Sequence, residues 1–419
     1  MKRFSVPLRL RSFGHDSTRK VTWLELFFDL IFVAAVAQVA SPLHSDYSLV
    51  GLIRFTPLFG LIWWAWTGHT VFSTRFDSDD GVQRTLTLVQ MFAVAAMAAN
   101  AKDALDTRSS AGFAAAYAMV RFLLVVQYFR ARHVPEARPL TTRYLAGHGS
   151  AAVLWLLSAL VPAPERFWIW AVAFAIDLGT PWLAVPHSVS VPPDAAHLPE
   201  RFGLFTLILL GESVVGVMHG MESQEDWPPA AAASAFLGMG IAFLLWWWYF
   251  DGASGASEQP VHSKRDAVRF HVWSYAHFPL YLGIVVAGVG VERIVTAASK
   301  YTLSGTESII LTSAVAIVML AMSAIGYVGK SATKGSADPH DGHRTRGSDA
   351  CGRPQRLVHR AGHTDCDAGV SLRGTARARA ERERVGRVRA SGVRPRGARA
   401  TRRGGEARKE VRCRRRRHE

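Results

Sequence analysis

The chain has 419 residues, 49% of them apolar and 11% aromatic, with 13 Trp and a formal charge of +16. The averages conceal a break after Lys330: residues 331–419 carry 25 Lys+Arg against 10 Asp+Glu and no Trp, Tyr, Phe, Met or Ile, whereas residues 1–330 carry 24 basic and 23 acidic side chains. The split excludes a DNA-binding protein inferred from basicity alone. Because Cys351, Cys366 and Cys413 all follow the break, it also excludes a disulfide framework or cysteine metal site in the body.

A basic leader over 1–22 (Lys2, Arg3, Arg9, Arg11, Arg19, Lys20) runs into a long apolar segment with no small-residue cleavage site, so no secretory signal peptide is expected. Ten apolar runs follow, at about 23–40, 50–71, 85–101, 112–129, 145–161, 167–185, 202–218, 230–250, 271–291 and 306–328. Each is near the ~20 residues that cross ~30 Å of hydrocarbon as a helix. Lipid offers no partner for backbone N–H and C=O groups, so each run should be α-helical. The predicted fold is all-α: a polytopic transmembrane bundle of about ten helices over 23–330. Connecting segments carry sixteen basic residues on the side of the N-terminus against five on the other. That bias predicts cytoplasmic N- and C-termini in a bacterial inner membrane.

The first and seventh runs resemble each other. Leu26-Phe27 can be laid over Leu204-Phe205, both runs carry acids, and each is followed by a Trp-rich run: Trp63, Trp64 and Trp66 after the first, Trp246, Trp247 and Trp248 after the seventh. An offset of six helices keeps both copies in one orientation, a parallel six-plus-six duplication whose last two helices would be missing. Chance likeness between hydrophobic helices is the competing explanation.

Ionisable groups at bilayer depth need a partner or a wet cavity. Glu25 and Asp29 lie one helical turn apart, so that one should be protonated or a cation should sit between them. Arg121 falls mid-helix and keeps its charge, so it needs a carboxylate and serves as the candidate counter-ion. Glu25, Asp29, Asp177 and Glu212 against Arg121 leave three negative charges, which protons, metal cations or an organic cation could balance. Asp29 and Glu212 are the preferred ion-coupling residues. His69, Gln38, Gln90, Asn100 and His277 either line a path or make interhelical hydrogen bonds. The Trp clusters fit packing or interfacial anchoring, Gly211 permits close backbone approach beside Glu212, and Gly283, Gly288 and Gly290 fit tight helix packing.

The run Thr22-Trp23-Leu24-Glu25-Leu26-Phe27-Phe28-Asp29-Leu30-Ile31-Phe32-Val33 resembles the bacterial low temperature requirement protein A family. So do Glu200-Arg201-Phe202-Gly203-Leu204-Phe205, Leu210-Gly211-Glu212-Ser213 and His277-Phe278-Pro279-Leu280-Tyr281-Leu282-Gly283. The resemblance covers roughly 18–330 and implies a polytopic bacterial inner-membrane protein, with no reaction, substrate or catalytic residue attached. Members of the family look as though they continue into further apolar helices, whereas residues 331–419 turn into an Arg-rich text. Such a text is expected either from a shifted reading frame of a GC-rich gene or as a polybasic tail drawn to anionic lipid, and in either case it should be disordered. Its His and Cys residues fit no closed zinc pattern, and it lacks the aromatic interleaving of single-strand nucleic-acid binders.

These features predict a proton- or cation-coupled secondary transporter. The alternative is a non-transporting membrane sensor or scaffold for envelope cold adaptation. The body lacks a Ser/His/Asp or HExxH arrangement, so no enzyme, cofactor or metal site is expected. The expected partners are membrane lipids and a proton or cation, with no specific nucleic acid.

Overall fold

A computed structural model describes residues 8–10, 21–77, 80–106, 109–224, 228–252, 258–297 and 303–335. The expectations placed on 336–419, disorder and lipid attraction among them, lie outside the described residues.

All ten apolar runs are helices: α1 (Trp23–Ser45), α2 (Leu49–Arg75), α3 (Gly81–Ala99), α4 (Ser110–Ala131), α5 (Arg138–Ser158), α6 (Glu165–Ser188), α7 (His197–Glu222), α8 (Pro229–Trp247), α9 (Lys264–Ala297) and α10 (Gly305–Gly335). A five-residue π-helical turn, Trp248–Gly252, extends α8. Arg9–Leu10 pairs antiparallel with Phe76–Asp77 beyond the end of α2. Among the described residues nine helices are long and apolar enough to cross a membrane. The tenth, α5, begins with Arg138 and Arg143 but packs against both α4 and α6, and so runs back between them.

Several helices outrun the apolar windows, and the caps explain where they begin. The Thr22 backbone N–H donates to Glu25 Oε2 (2.8 Å) while the Glu25 N–H donates to Thr22 Oγ1 (3.3 Å), a reciprocal box that starts α1 at Trp23. Asp194 Oδ1 accepts from the Ala196 and His197 N–H groups (3.1 and 2.9 Å), which starts α7 five residues before its apolar window. Ser263 and Asp266 cap each other at the head of α9. The early start of α7 matters most, because it takes Arg201 out of a loop and into the second helical turn.

In the first half α1 packs on α2 and α3, and α3 on α4; in the second, α7 packs on α8 and α9, and α9 on α10. The recurrence of these neighbours at an offset of six agrees with the parallel duplication. The halves differ at their Trp-rich helices. On α2, which also touches α4, α7 and α9, Trp63, Trp64 and Trp66 are buried, whereas Trp246 and Trp247 on the peripheral α8 are exposed. Trp66 is the centre of the core, stacked on Phe205 at 4.3 Å and edge-on to Phe202 at 4.9 Å. Outward faces carry Phe92, Leu160, Trp168, Phe236 and Leu320, an apolar exterior suited to lipid.

Candidate functional site

Acids one turn apart on α1 meet bases one turn apart on α7. Arg201 Nη2 lies 2.6 Å from Asp29 Oδ1 and its Nε 3.1 Å from Oδ2, a two-point grip, and Nη1 lies 3.5 Å from Glu25 Oε1. His197 Nε2 is 3.3 Å from Glu25 Oε1, and the Trp66 indole N–H donates to Asp29 Oδ1 at 2.7 Å. Asp29 and Arg201 are both fully buried. The cation that the Glu25/Asp29 pair requires is therefore a fixed guanidinium.

Asp177 is likewise held. Arg121 Nε lies 2.8 Å from Asp177 Oδ2, His148 Nδ1 lies 2.8 Å from Asp177 Oδ1, and the Arg121 guanidinium donates to the Tyr117 hydroxyl at 2.7 and 3.1 Å. The side chain expected as a general counter-ion thus serves Asp177 alone among the four candidate acids. Gly68 makes room for it: a Cβ there would sit 3.0 Å from Arg121 Nη1.

These contacts reduce the expected surplus of negative charge: Arg201 joins Arg121 as a second fixed cation beside the four candidate acids. Counted among the described residues that are buried, the set is Arg75, Arg121, Arg166 and Arg201 against Asp29, Asp80 and Asp177, so arginine is in the majority.

Glu212 has a different environment. It lines a cavity of about 350 Å³ between the second halves of α1, α7 and α9, with Gln38, Ser41, His44, His219 and Glu292. His44 Nδ1 lies 2.8 Å from Glu292 Oε2, close to the helix ends. Glu212 is ten residues before Glu222, the end of α7, hence about 15 Å deeper at ~1.5 Å per residue. Among the described residues no basic side chain pairs with it. Gly211 faces open space rather than a neighbouring backbone, in contrast to the close approach expected there. Gly288 and Gly283 do set tight contacts, on Ser213 of α7 and on Val318 of α10.

The softer polar candidates divide. Gln38 enters the cavity. His69 stacks on Phe28 at 4.0 Å, and the Gln127 amide donates to Gln90 Oε1 at 3.1 Å. His277 bridges the Trp273 carbonyl (2.8 Å) and the Tyr249 hydroxyl (3.0 Å), while the Asn100 amide donates to the Ala96 carbonyl of its own helix. Arg201, His197, Trp66, His148 and Glu292 escaped the sequence reading. The i, i+4 spacing of His197 and Arg201, matching that of Glu25 and Asp29, was the available signal for the first two.

The profile of the bacterial low temperature requirement A protein family matches residues 20–339. The chain is 30% identical over 297 residues to the uncharacterized protein RA0937 of Rhizobium meliloti (strain 1021), covering 67% of this chain and 71% of that one. No solved structure matches. With its apolar helices and a profile match over most of its length, this multi-pass membrane protein belongs to the bacterial low temperature requirement A protein (LtrA) family.

Proposed function

We propose that the protein is a proton- or cation-coupled secondary transporter of the bacterial inner membrane, with both termini cytoplasmic and Glu212 as the coupling carboxylate. One observation carries the reading: a cavity of about 350 Å³ brings an unpaired carboxylate to bilayer depth between α1 and α7, the two helices related by the suspected duplication. Its size falls in the range of small-ligand sites. The basic bias of the connecting segments supports an orientation in which the C-terminal halves of α1, α7 and α9, which line the cavity, lie toward the side away from the cytoplasm. Asp29 then closes the cytoplasmic half: through Arg201 it pins α1 to α7 below the cavity, and release of that pair is the step that would open the opposite side. Asp177 and Arg121 hold α4 to α6 and take no part in coupling.

The test is flux in proteoliposomes under imposed sodium, potassium and proton gradients, read with tracer cations and a trapped pH-sensitive dye. Wild type should carry gradient-driven flux and Glu212→Gln should lose it. Flux absent from wild type under every gradient would sink the transport reading. A non-transporting sensor or scaffold is favoured by a separate observation: Asp29, Asp80 and Asp177 each have a fixed arginine partner.

A further inference from the structure

Arg75 ends α2 as a residue 1% exposed, and none of its three side-chain nitrogens has a hydrogen-bond partner among the described residues. Its contact is aromatic: Cζ lies 5.5 Å over the Tyr144 ring. A cation–π contact of that kind leaves five N–H donors unused and the charge uncompensated, an expensive state for a side chain that stays protonated. Two carboxylates nearby are engaged elsewhere: Asp194, whose N–H donates to the Thr74 carbonyl, turns its Oδ1 to the Ala196 and His197 N–H groups, and Asp177 holds Arg121 and His148.

Arg75 continues the face of α2 that carries Trp64, Gly68 and Val71, and beside that face is a small cavity of about 20 Å³ which Tyr144 also lines. That is room for one body of roughly water size. Its walls hold five more polar atoms without partners among the described residues: Trp64 Nε1, Thr67 Oγ1, Tyr128 Oη, His271 Nε2 and Ser274 Oγ. All five residues are buried. The Arg75 charge is close enough to act electrostatically on both Tyr128 and His271. The indole and guanidinium N–H groups can only donate, and the three hydroxyls can each turn a proton inward. A water molecule could satisfy some of these donors but brings no negative charge.

We propose that this pocket, lined by Trp64, Thr67, Tyr128, His271 and Ser274 and reached from Arg75 across the shared Tyr144 ring, binds a single small inorganic anion of halide size. The anion accepts from the inward-turned donors and balances the Arg75 charge inside the bundle. This site lies on α2, α4 and α9, apart from the Glu212 cavity, and does not depend on the transport reading.

The experiment is equilibrium binding of radioactive chloride to the full-length purified protein in nanodiscs, with thermal unfolding in sodium chloride and in sodium gluconate at equal ionic strength as a second readout. Wild type should bind about one chloride per chain saturably and unfold at a higher temperature in chloride than in gluconate. Arg75→Gln should weaken binding about tenfold or more and abolish the difference between the two salts. If Arg75→Gln does not fold, Ser274→Ala with Thr67→Val replaces it, and this pair should weaken chloride several-fold. Absence of saturable binding to wild type overturns the proposal, as does unchanged affinity in whichever variant folds.

Discussion

Arg201 of α7 grips Asp29 of α1 at two points, 2.6 and 3.1 Å, with both side chains excluded from solvent and lipid. Removing one partner of such a pair strands the other charge. Asp29→Asn and Arg201→Met should each destabilise the fold by about 3–5 kcal/mol, while the double variant should recover much of the loss. Denaturant unfolding in detergent checks this. Single and double variants of equal stability would mean that the pair contributes nothing.

Glu212 should respond in the opposite sense. It carries no fixed partner among the described residues, so Glu212→Gln should change stability by less than about 1 kcal/mol while eliminating ion-coupled flux. The contrast with Asp29→Asn, measured by unfolding and flux on the same preparations, separates a coupling residue from a structural one. A Glu212→Gln protein as damaged in folding as Asp29→Asn would place Glu212 with the structural acids.

Hydrophobicity and length made the ten helices legible, since a bilayer leaves the backbone no alternative to a helix. The acids were legible too, because Asp29 and Asp177 stand out in apolar text. Their partners were not. Arg201 lies just outside an apolar window, and only the Asp194 cap, which starts the helix at His197, shows that it is inside the bundle. Trp66 looked like a packing or interfacial residue because an indole announces its bulk and not its N–H. The cavity around Glu212 depends on residues from α1, α7 and α9 that are more than 60 positions apart in the chain, and no local pattern in one sequence encodes such a meeting.

Helix packing in the first half turns on Gly147. A Cβ there would fall 2.0 Å from Thr180 Oγ1 across the α5/α6 contact. Gly147→Ala should therefore cost about 1–3 kcal/mol as the helices are forced apart. Gly149→Ala meets nothing within 4 Å and should be neutral or slightly stabilising. Comparing the two unfolding midpoints tests the packing, and equal midpoints would refute the close contact. Adding Thr180→Ala to Gly147→Ala should restore part of the loss.

The body has no cysteine, so replacing Cys351, Cys366 and Cys413 yields a background for thiol labelling. A maleimide reagent reacts with thiolate, which forms where water reaches, and not with a thiol facing hydrocarbon. Ser41→Cys lies on the wall of the Glu212 cavity and should react rapidly with a membrane-impermeant maleimide added from the periplasmic side. Phe122→Cys is also exposed in the bare protein but sits mid-helix on the outward face of α4, and should stay unlabelled from both sides. Labelling of Ser41→Cys from the cytoplasmic side alone would invert the proposed orientation. No labelling from either side would mean that lipid or protein, rather than water, fills the space above Glu212, and the carboxylate would then have no route to an aqueous cation.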